Sequence, residues 1–260
     1  INAREYLLAA EIKADEAHTI GLLIEEVEDL QQNIQKELDK LDGVTRLNDL
    51  APLADLKSIN ENAFGSYLEA AANQIYVLDK VNQDLYGLTL DNQQLIKIKD
   101  SFFEDVDAAL LTTTPQNVYI YGVREGQTKL GELDPANDNF REITVAFNNQ
   151  WKQASKIEQW TDVSGNSRFY FVDPVENALW RYRPSGNQYG APDNYFGPTD
   201  LAPTFADIVD LTIDGSVFML TKDGQILKYY SGQLQEGFSV QGLKVAMSEP
   251  VAIASGTPQG

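Results

Sequence analysis

Few side chains in this chain could do chemistry, and their scarcity narrows the reactions open to it. There is one histidine, His18, and no cysteine. Ser-His-Asp triads, imidazole zinc sites and histidine relays are excluded unless they use His18, and thiolate chemistry has no residue to run on. Serines occur in the glycine-containing stretches "TDVSGNS" (161–167) and "PSGNQ" (184–188), but no G-x-S-x-G elbow is present and both stretches read as turns. Paired carboxylates can hydrolyse glycosides, and Asp79, Asp173, Asp207, Asp210 and Asp214 lie near strand ends. Asp79 and Asp173, however, fall in matching places, four residues after Ile75 and Phe169, which points to a repeated turn-capping role. Asp214-Gly215 and Asp223-Gly224 supply the positive φ of tight hairpins. "ENAFG" (61–65), "NDN" (137–139) and "APDNYF" (191–196) offer oxygens, but none has the spacing of an EF-hand loop. No catalytic residue, metal ligand or cofactor is therefore assigned. The remaining candidates are Tyr189, Tyr195 and Phe196 in "NQYGAPDNYFGPTDL" (187–201), as ligand- or partner-binding residues, since aromatics are favoured at recognition surfaces. The alternative is a loop that tucks its aromatics inward.

Composition excludes further classes. The 260 residues carry 39 acids against 20 Lys and Arg, a net charge of −19. Nucleic-acid binding needs a basic footprint, and an anionic bilayer repels such a chain. No apolar run is long enough to span a membrane, so a membrane is reached only through sequence missing from this chain, which starts directly at Ile1. An extracytoplasmic compartment is slightly favoured over the cytoplasm.

The elements that must position these residues are of two kinds. Residues 1–43 read as one long helix, about 60 Å by its rise per residue, ending at Gly43. The apolar stripe Ile20, Leu23, Val27, Leu30, Ile34 steps by three and four, close to the heptad rhythm of a coiled coil. Such a stripe calls for a partner helix, from a protein partner or a second copy, or for cover by the following domain. Upstream, small residues (Ala10, Ala14, Ala17, Gly21) suggest close approach of another helix. His18 lies mid-helix and reads as a solvated or partly packed side chain.

From 44 to 260 the texture becomes period-two. Four segments share one rhythm of apolar or aromatic run, polar turn and second strand: "IYVLDKVNQDLYGLTL" from Ile75, "VYIYGVREGQTKLGEL" from Val118, "RFYFVDPVENALWRY" with Phe169 in register, and "VFMLTKDGQILKYY" from Val217. Each follows another strand ("GSYLEAA", "DVDAALLT", "KIEQWTDV", "ADIVDLTI"). Most precede a fourth ("LIKIKD", "FREITV", "EGFSVQG"), although the third unit's outer strand is unclear. Four strands per 40–50 residues is the pattern of β-propeller blades. "SEPVAIASG" adds the inner strand of a fifth. The expected fold is mainly β: four complete four-stranded antiparallel blades and the start of a fifth, after the N-terminal helix. Trp151, Trp160 and Trp180 are expected between blades.

The blade rhythm resembles that of the NHL and SMP-30-like propellers over about residues 50–260. That resemblance implies a ring that usually has six blades, which favours continuation beyond this chain over the alternative, closure of a four-bladed ring by residues 251–254. It also implies two functional readings. The first is a non-enzymatic binding or scaffolding module, such as the extracytoplasmic sensor part of a membrane-anchored protein with residues 1–43 as its stalk. The second is an SMP-30-like lactonase or other hydrolase with an axial divalent cation. A structural assembly protein that oligomerises through the helix is the third reading.

Overall fold

The computed structural model describes residues 3–21, 23–42, 51–71, 73–114, 116–137, 139–145, 154–186, 188–197, 202–240 and 247–255. Gly43 and Trp151 lie outside them. The chain divides into two compact units, 1–52 and 53–260.

The first unit is two helices, α1 (Ala3–Ile20) and α2 (Ile24–Asp42), rather than one. Gly21 sits at φ +76° and Leu23 at φ +50°, left-handed values that end a helix. The reason for the fold-back is burial. A single helix leaves its stripe in water, whereas the hairpin packs Ala14 of α1 against Ile34 and Leu38 of α2, with Leu7, Leu8 and Val27 around them. The close-approaching helix is thus α2 of the same chain. Polar pairs stitch the two: Arg4 Nε to Asp42 Oδ1 at 2.9 Å, Gln31 Nε2 donating to Asp15 Oδ1 at 2.6 Å, and His18 Nε2 3.5 Å from Glu28 Oε1.

The second unit is a β-propeller. Blade one is β1 (Tyr67–Ala71), β2 (Gln74–Asp79), β3 (Asp84–Thr89) and β4 (Gln94–Asp100). Blade two is β5 (Asp107–Thr113), β6 (Val118–Arg124), β7 (Gln127–Asp134) and β8 (Asn139–Ile143). Blade three holds β9 (Lys156–Thr161), β10 (Ser167–Asp173) and β11 (Ala178–Tyr182). A two-residue-per-strand hairpin follows, β12 (Pro184–Ser185) and β13 (Gln188–Tyr189), and then the short outer strand β14 (Asp193–Asn194). Blade four is β15 (Ile208–Ile213), β16 (Val217–Thr221), β17 (Ile226–Tyr230) and β18 (Gln233–Leu234). Each blade is antiparallel in spatial order inner to outer. The outer strand expected at 236–242 lies instead at Gln233–Leu234, because a tight turn at Ser231-Gly232 sends the chain straight back along β17. Phe238, the aromatic that suggested a strand, packs edge-on against Phe218.

Alternation along the second strands shows how the blades stack. On β6, Val118 and Ile120 enter a core shared with Tyr76, Leu78 and Leu85 of blade one. Tyr119 and Tyr121, the residues between and after them, enter a core shared with Phe169, Phe171 and Tyr182 of blade three. On β10 the pattern repeats: Tyr170 and Val172 face Leu211, Met219 and Tyr229 of blade four. A strand buried on both faces this way loses the polar alternation of a surface sheet. Successive residues of one strand therefore hold two neighbouring blades, and aromatic edges such as Tyr119–Phe169, 4.8 Å between centroids, close the gap. Trp180 lies in the core shared by blades two and three, and Trp160 packs on that of blades three and four.

Residues 251–255 lie along β15. Ile253 N donates to Asp210 Oδ2 at 3.0 Å and Ser255 N to Thr212 Oγ1 at 3.2 Å, each pair 43 residues apart. That is the place of a fifth inner strand.

Candidate functional site

The inner strands bring one register position of each blade together near the axis. Glu69, Thr112, Glu158 and Thr212 each pair across to an aromatic of the second strand: Tyr76, Tyr119, Tyr170 and Phe218. Two residues earlier on the same strand faces stand Tyr67, Leu110, Lys156 and Asp210, because side chains at i and i+2 share a face. Sequence reading missed this set. The signal was a recurring x-charged pattern, Tyr67-x-Glu69, Lys156-x-Glu158 and Asp210-x-Thr212, inside runs that otherwise read as inner strands.

The charges are organised around Lys156. Its Nζ lies 2.9 Å from Asp210 Oδ1 and 3.8 Å from Glu69 Oε1, so it joins blade three to blades four and one. Asp210 is 6% exposed and fully engaged: beyond Lys156 and Ile253 N, it accepts from Leu211 N at 2.9 Å. Burial works against the Lys156 ammonium, but Asp210, Glu69 and Glu158 outweigh it and raise its pKa. Glu69 is raised by desolvation, partly offset by Lys156 and reinforced by Asp210. Glu158 makes none of these close pairings. Desolvation, aided by the Glu69 charge and opposed by Lys156, pushes it up to about 8, so it holds a proton at neutral pH. The arrangement seats one ammonium between two carboxylates and leaves a third carboxyl that can hold or release one proton.

A cavity of about 620 Å³ opens between the beginnings of β1, β5 and β9, one step along the strands from this cluster, whose own side chains do not line it. Tyr67 and Leu110 line it, as do Ser155, next to Lys156, and Asp107, which is paired with Arg124 at 2.5 Å. Lys80 Nζ stands over the Tyr67 ring at 5.5 Å from its centroid, a cation–π geometry.

The residues singled out from the sequence fall elsewhere, Asp210 apart. Tyr195 and Phe196 are buried between blades three and four at 9% and 4% exposure. Tyr189 is half-buried on Phe169 and lines a separate cavity of about 330 Å³ with Glu132, Arg141 and Gln188. Of the stripe, Ile34 is buried and Val27 half-buried in the hairpin, whereas Ile20, Leu23 and Leu30 are exposed. Asp79 is a turn cap: its carboxylate accepts from Phe64 N, Val81 N, Asn82 N and Asn82 Nδ2 at 2.7–3.0 Å. Asp173 accepts from Val175 N, Glu176 N and Trp180 Nε1. Asp214 caps its own turn through Ser216 N, and Asp207 is exposed. In the oxygen-rich loops, Asp193 pairs with Arg181 at 2.6 Å. Asp138 is outside the described residues, and among those described no group of three or more His, Asp or Glu is placed to hold a metal ion.

No protein-family model matches the sequence, and no curated protein does either. Solved structures are similar at low identity. A nidogen/laminin complex is 11% identical at TM-score 0.41, over 65% of this chain and 60% of that one. A luciferin-regenerating enzyme is 13% identical at TM-score 0.49, over 76% and 68%. Myxococcus xanthus glutaminyl cyclase is 15% identical at TM-score 0.41, over 66% and 69%. The chain spans less than two thirds of the nidogen/laminin chain that it matches.

Proposed function

We propose that this chain is a non-enzymatic binding module of the NHL/SMP-30-like propeller type, taking its ligand at the open mouth of the axis. One observation carries the reading. Titratable side chains from blades one, three and four converge beside a cavity of ligand size, and they are arranged to hold charge: an ammonium between two carboxylates and a third carboxyl left over. Such a site suits recognition by hydrogen bonds and charge. A panel of amines, amino acids, sugars and nucleotides, followed by ligand-observed NMR, tests it. Saturable binding with the ligand recovered unchanged after a day supports the reading, whereas conversion of a bound ligand overturns it. A second reading, a hydrolase with an axial cation, would be the one left standing by such conversion.

The sensor reading, an extracytoplasmic part of a membrane-anchored protein, belongs to the same proposal. No described helix is long and apolar enough to cross a membrane. The hairpin is proposed as the element that meets a second copy of the chain, because Ile20, Leu23 and Leu30 remain 71%, 70% and 50% exposed where a partner helix would cover them. Light scattering on Leu23→Asp/Leu30→Asp tests this. A shift from dimer to monomer supports it, and a wild-type chain monomeric at 100 µM or so overturns it.

A further inference from the structure

The cavity of about 330 Å³ at the seam of blades two and three shares no lining residue with the one near the axis. One wall is blade two, with Tyr119, Glu132 and Arg141; the other is the β12–β13 hairpin of blade three, with Gln188 and Tyr189. The backbone ties that hairpin to blade two, because Tyr189 bridges to Val145 just past β8. Both tyrosine rings pack on the buried Phe169 ring, centroids 4.8 and 4.9 Å away, so the aromatic sides of the cavity are fixed. What is left for a ligand follows from what is already committed. Glu132, its side chain 12% exposed, accepts from Asn117 Nδ2 at 2.7 Å, Tyr119 Oη at 3.1 Å and Arg141 Nε at 2.7 Å. Glu142 is paired with Lys129 at 3.0 Å. Each charged group lining the cavity thus has its counter-charge within the protein. Among the described residues, no hydrogen bond engages the side chains of Tyr189, Gln188 or Thr144, which also line it. These are neutral groups, and each both donates and accepts. Burial raises the Tyr189 pKa further above neutrality, so its hydroxyl keeps the proton it would donate.

We propose that this cavity binds an uncharged monosaccharide ring. The C–H face of the sugar lies on the tyrosine rings, whose π-faces carry negative charge, and its hydroxyls exchange hydrogen bonds with Tyr189, Gln188 and Thr144. The site selects for both features at once. A purely apolar ligand would strip water from three polar groups and give nothing back. A carboxylate or phosphate would meet Glu132 and Glu142, with Arg141 already turned to Glu132. The volume lies at the small end of the about 300–1,000 Å³ typical of small-molecule sites, which suits one sugar ring. This is a second site, independent of the axial reading above, and it selects by hydroxyls and ring contact where the axial cluster is built of charges.

The test uses the intact chain with D-glucose, D-galactose and D-mannose, titrated at neutral pH and read by saturation-transfer NMR. At least one should bind saturably in the millimolar range. For that sugar, Tyr189→Phe, which keeps the ring on Phe169, and Gln188→Ala, which changes an exposed side chain, should each weaken binding about fivefold, the worth of one neutral hydrogen bond. The uronate of the same sugar, an identical ring bearing a carboxylate, should bind more weakly than its neutral parent. Three results overturn the proposal. The first is no saturation of any of the three sugars by about 50 mM. The second is sugar binding that neither variant weakens, which would move the sugar to the axial mouth. The third is a uronate that binds more tightly than its parent, which would make the cavity an anion site on Arg141. Failure here with a ligand held at the axial mouth leaves the binding-module reading in place, and failure of the axial reading leaves this site standing.

Discussion

Two sets of acids in the ring are enclosed by protein and differ in what their oxygens meet. At the ends of β2 and β10, Asp79 and Asp173 are wholly buried, and each carboxylate is met by turn N–H groups. At the inner edge, Glu69 and Glu158 are less buried by area but short of donors. For Asp79, desolvation would raise the pKa, yet the Asn82 amide and the N–H groups of Phe64, Asn82 and Val81 outweigh it and hold it below the usual range. For Glu158, desolvation and the like-charged Glu69 and Asp210 outweigh the opposing Lys156 ammonium, no hydrogen-bond donor helps the charged form, and it rises to about 8. Burial therefore does not by itself mark a functional acid; the count of hydrogen-bond donors around it decides which acids build the fold and which stay free to respond to a ligand.

The contrast breaks first at Asp79. Asp79→Ala strips partners from three backbone N–H groups that converge on a wholly buried carboxylate, in a turn whose Phe64 and Val81 are themselves exposed. Each unsatisfied donor costs about 1–3 kcal/mol, and partial relaxation leaves a net loss of about 3 kcal/mol, or roughly 10 °C in the melting temperature of a unit this size. Urea unfolding of the variant should show it, and a loss below about 1 kcal/mol would mean the carboxylate is not the turn's organiser. Because the Asp79 pKa is depressed, its stabilisation is present above the unfolded pKa near 4 and fades as pH falls through the folded value.

Next in size is Lys156→Met. Removing the ammonium leaves Asp210 with Ile253 N and Leu211 N but no counter-charge, and breaking one side of a buried pair is costly. A loss of about 2 kcal/mol at pH 8 is expected, shrinking as pH falls and Glu69, whose pKa burial raises, takes up a proton. A loss independent of pH would show that Lys156 contributes by packing alone.

Glu158→Gln runs the other way. A carboxyl whose folded pKa is raised from the usual 4.5 to about 8 keeps its proton on folding. Its stability contribution is full below pH 4.5 and is lost as pH rises through about 8. The neutral amide feels none of this. Wild type and variant should melt together near pH 5 and diverge above it, with the variant ahead by about 1–3 kcal/mol at pH 9 once relaxation is allowed for. Parallel curves from pH 5 to 9 would place the Glu158 titration below that window and remove the proton from the axial site.

Much of this was legible in the sequence. Blade stacking needs both faces of the second strand apolar, so Ile75, Val118, Phe169 and Val217 announced themselves, and Asp79 and Asp173 repeated because the turn they cap repeats. The axial set did not stand out: a Lys or Glu every second residue in a strand normally signals a solvated face, and only assembly turns that face towards the other blades. The hairpin was hidden for a different reason. One glycine inside a helical pattern costs about 1 kcal/mol and is often tolerated, and nothing local said that α2 would return along α1. The two-residue β14 carries too few side chains to show any period.

The smallest expected effect sharpens the comparison on the turn side. Gln83, four residues after Asp79, stands at φ +59° and reaches from blade one to blade two. Its Oε1 accepts from Ala108 N at 2.6 Å, and its Nε2 donates to Ala108 O at 3.2 Å and to Lys80 O at 2.6 Å. Asn177 stands in the same place after Asp173, at φ +49°, and accepts from Phe205 N at 2.8 Å while donating to Pro203 O. Turn caps thus do more than close turns: they aim an amide at the next blade, and Ala108 takes it where β5 bulges. Gln83→Ala loses that amide while keeping the strained φ. Gln83→Gly loses it and relieves the strain, which for a non-glycine residue costs about 1 kcal/mol. Since Ala108 lines the open cavity, water can replace the lost partner, and Gln83→Ala should cost only about 1 kcal/mol. Gln83→Gly should come within about 0.5 kcal/mol of wild type, the relieved strain offsetting the lost bonds. If both variants lose the same amount, the left-handed turn carries no strain. If neither loses any, the amide is an ornament of the turn, and only Asp79 and Asp173 separate the structural acids from the axial ones.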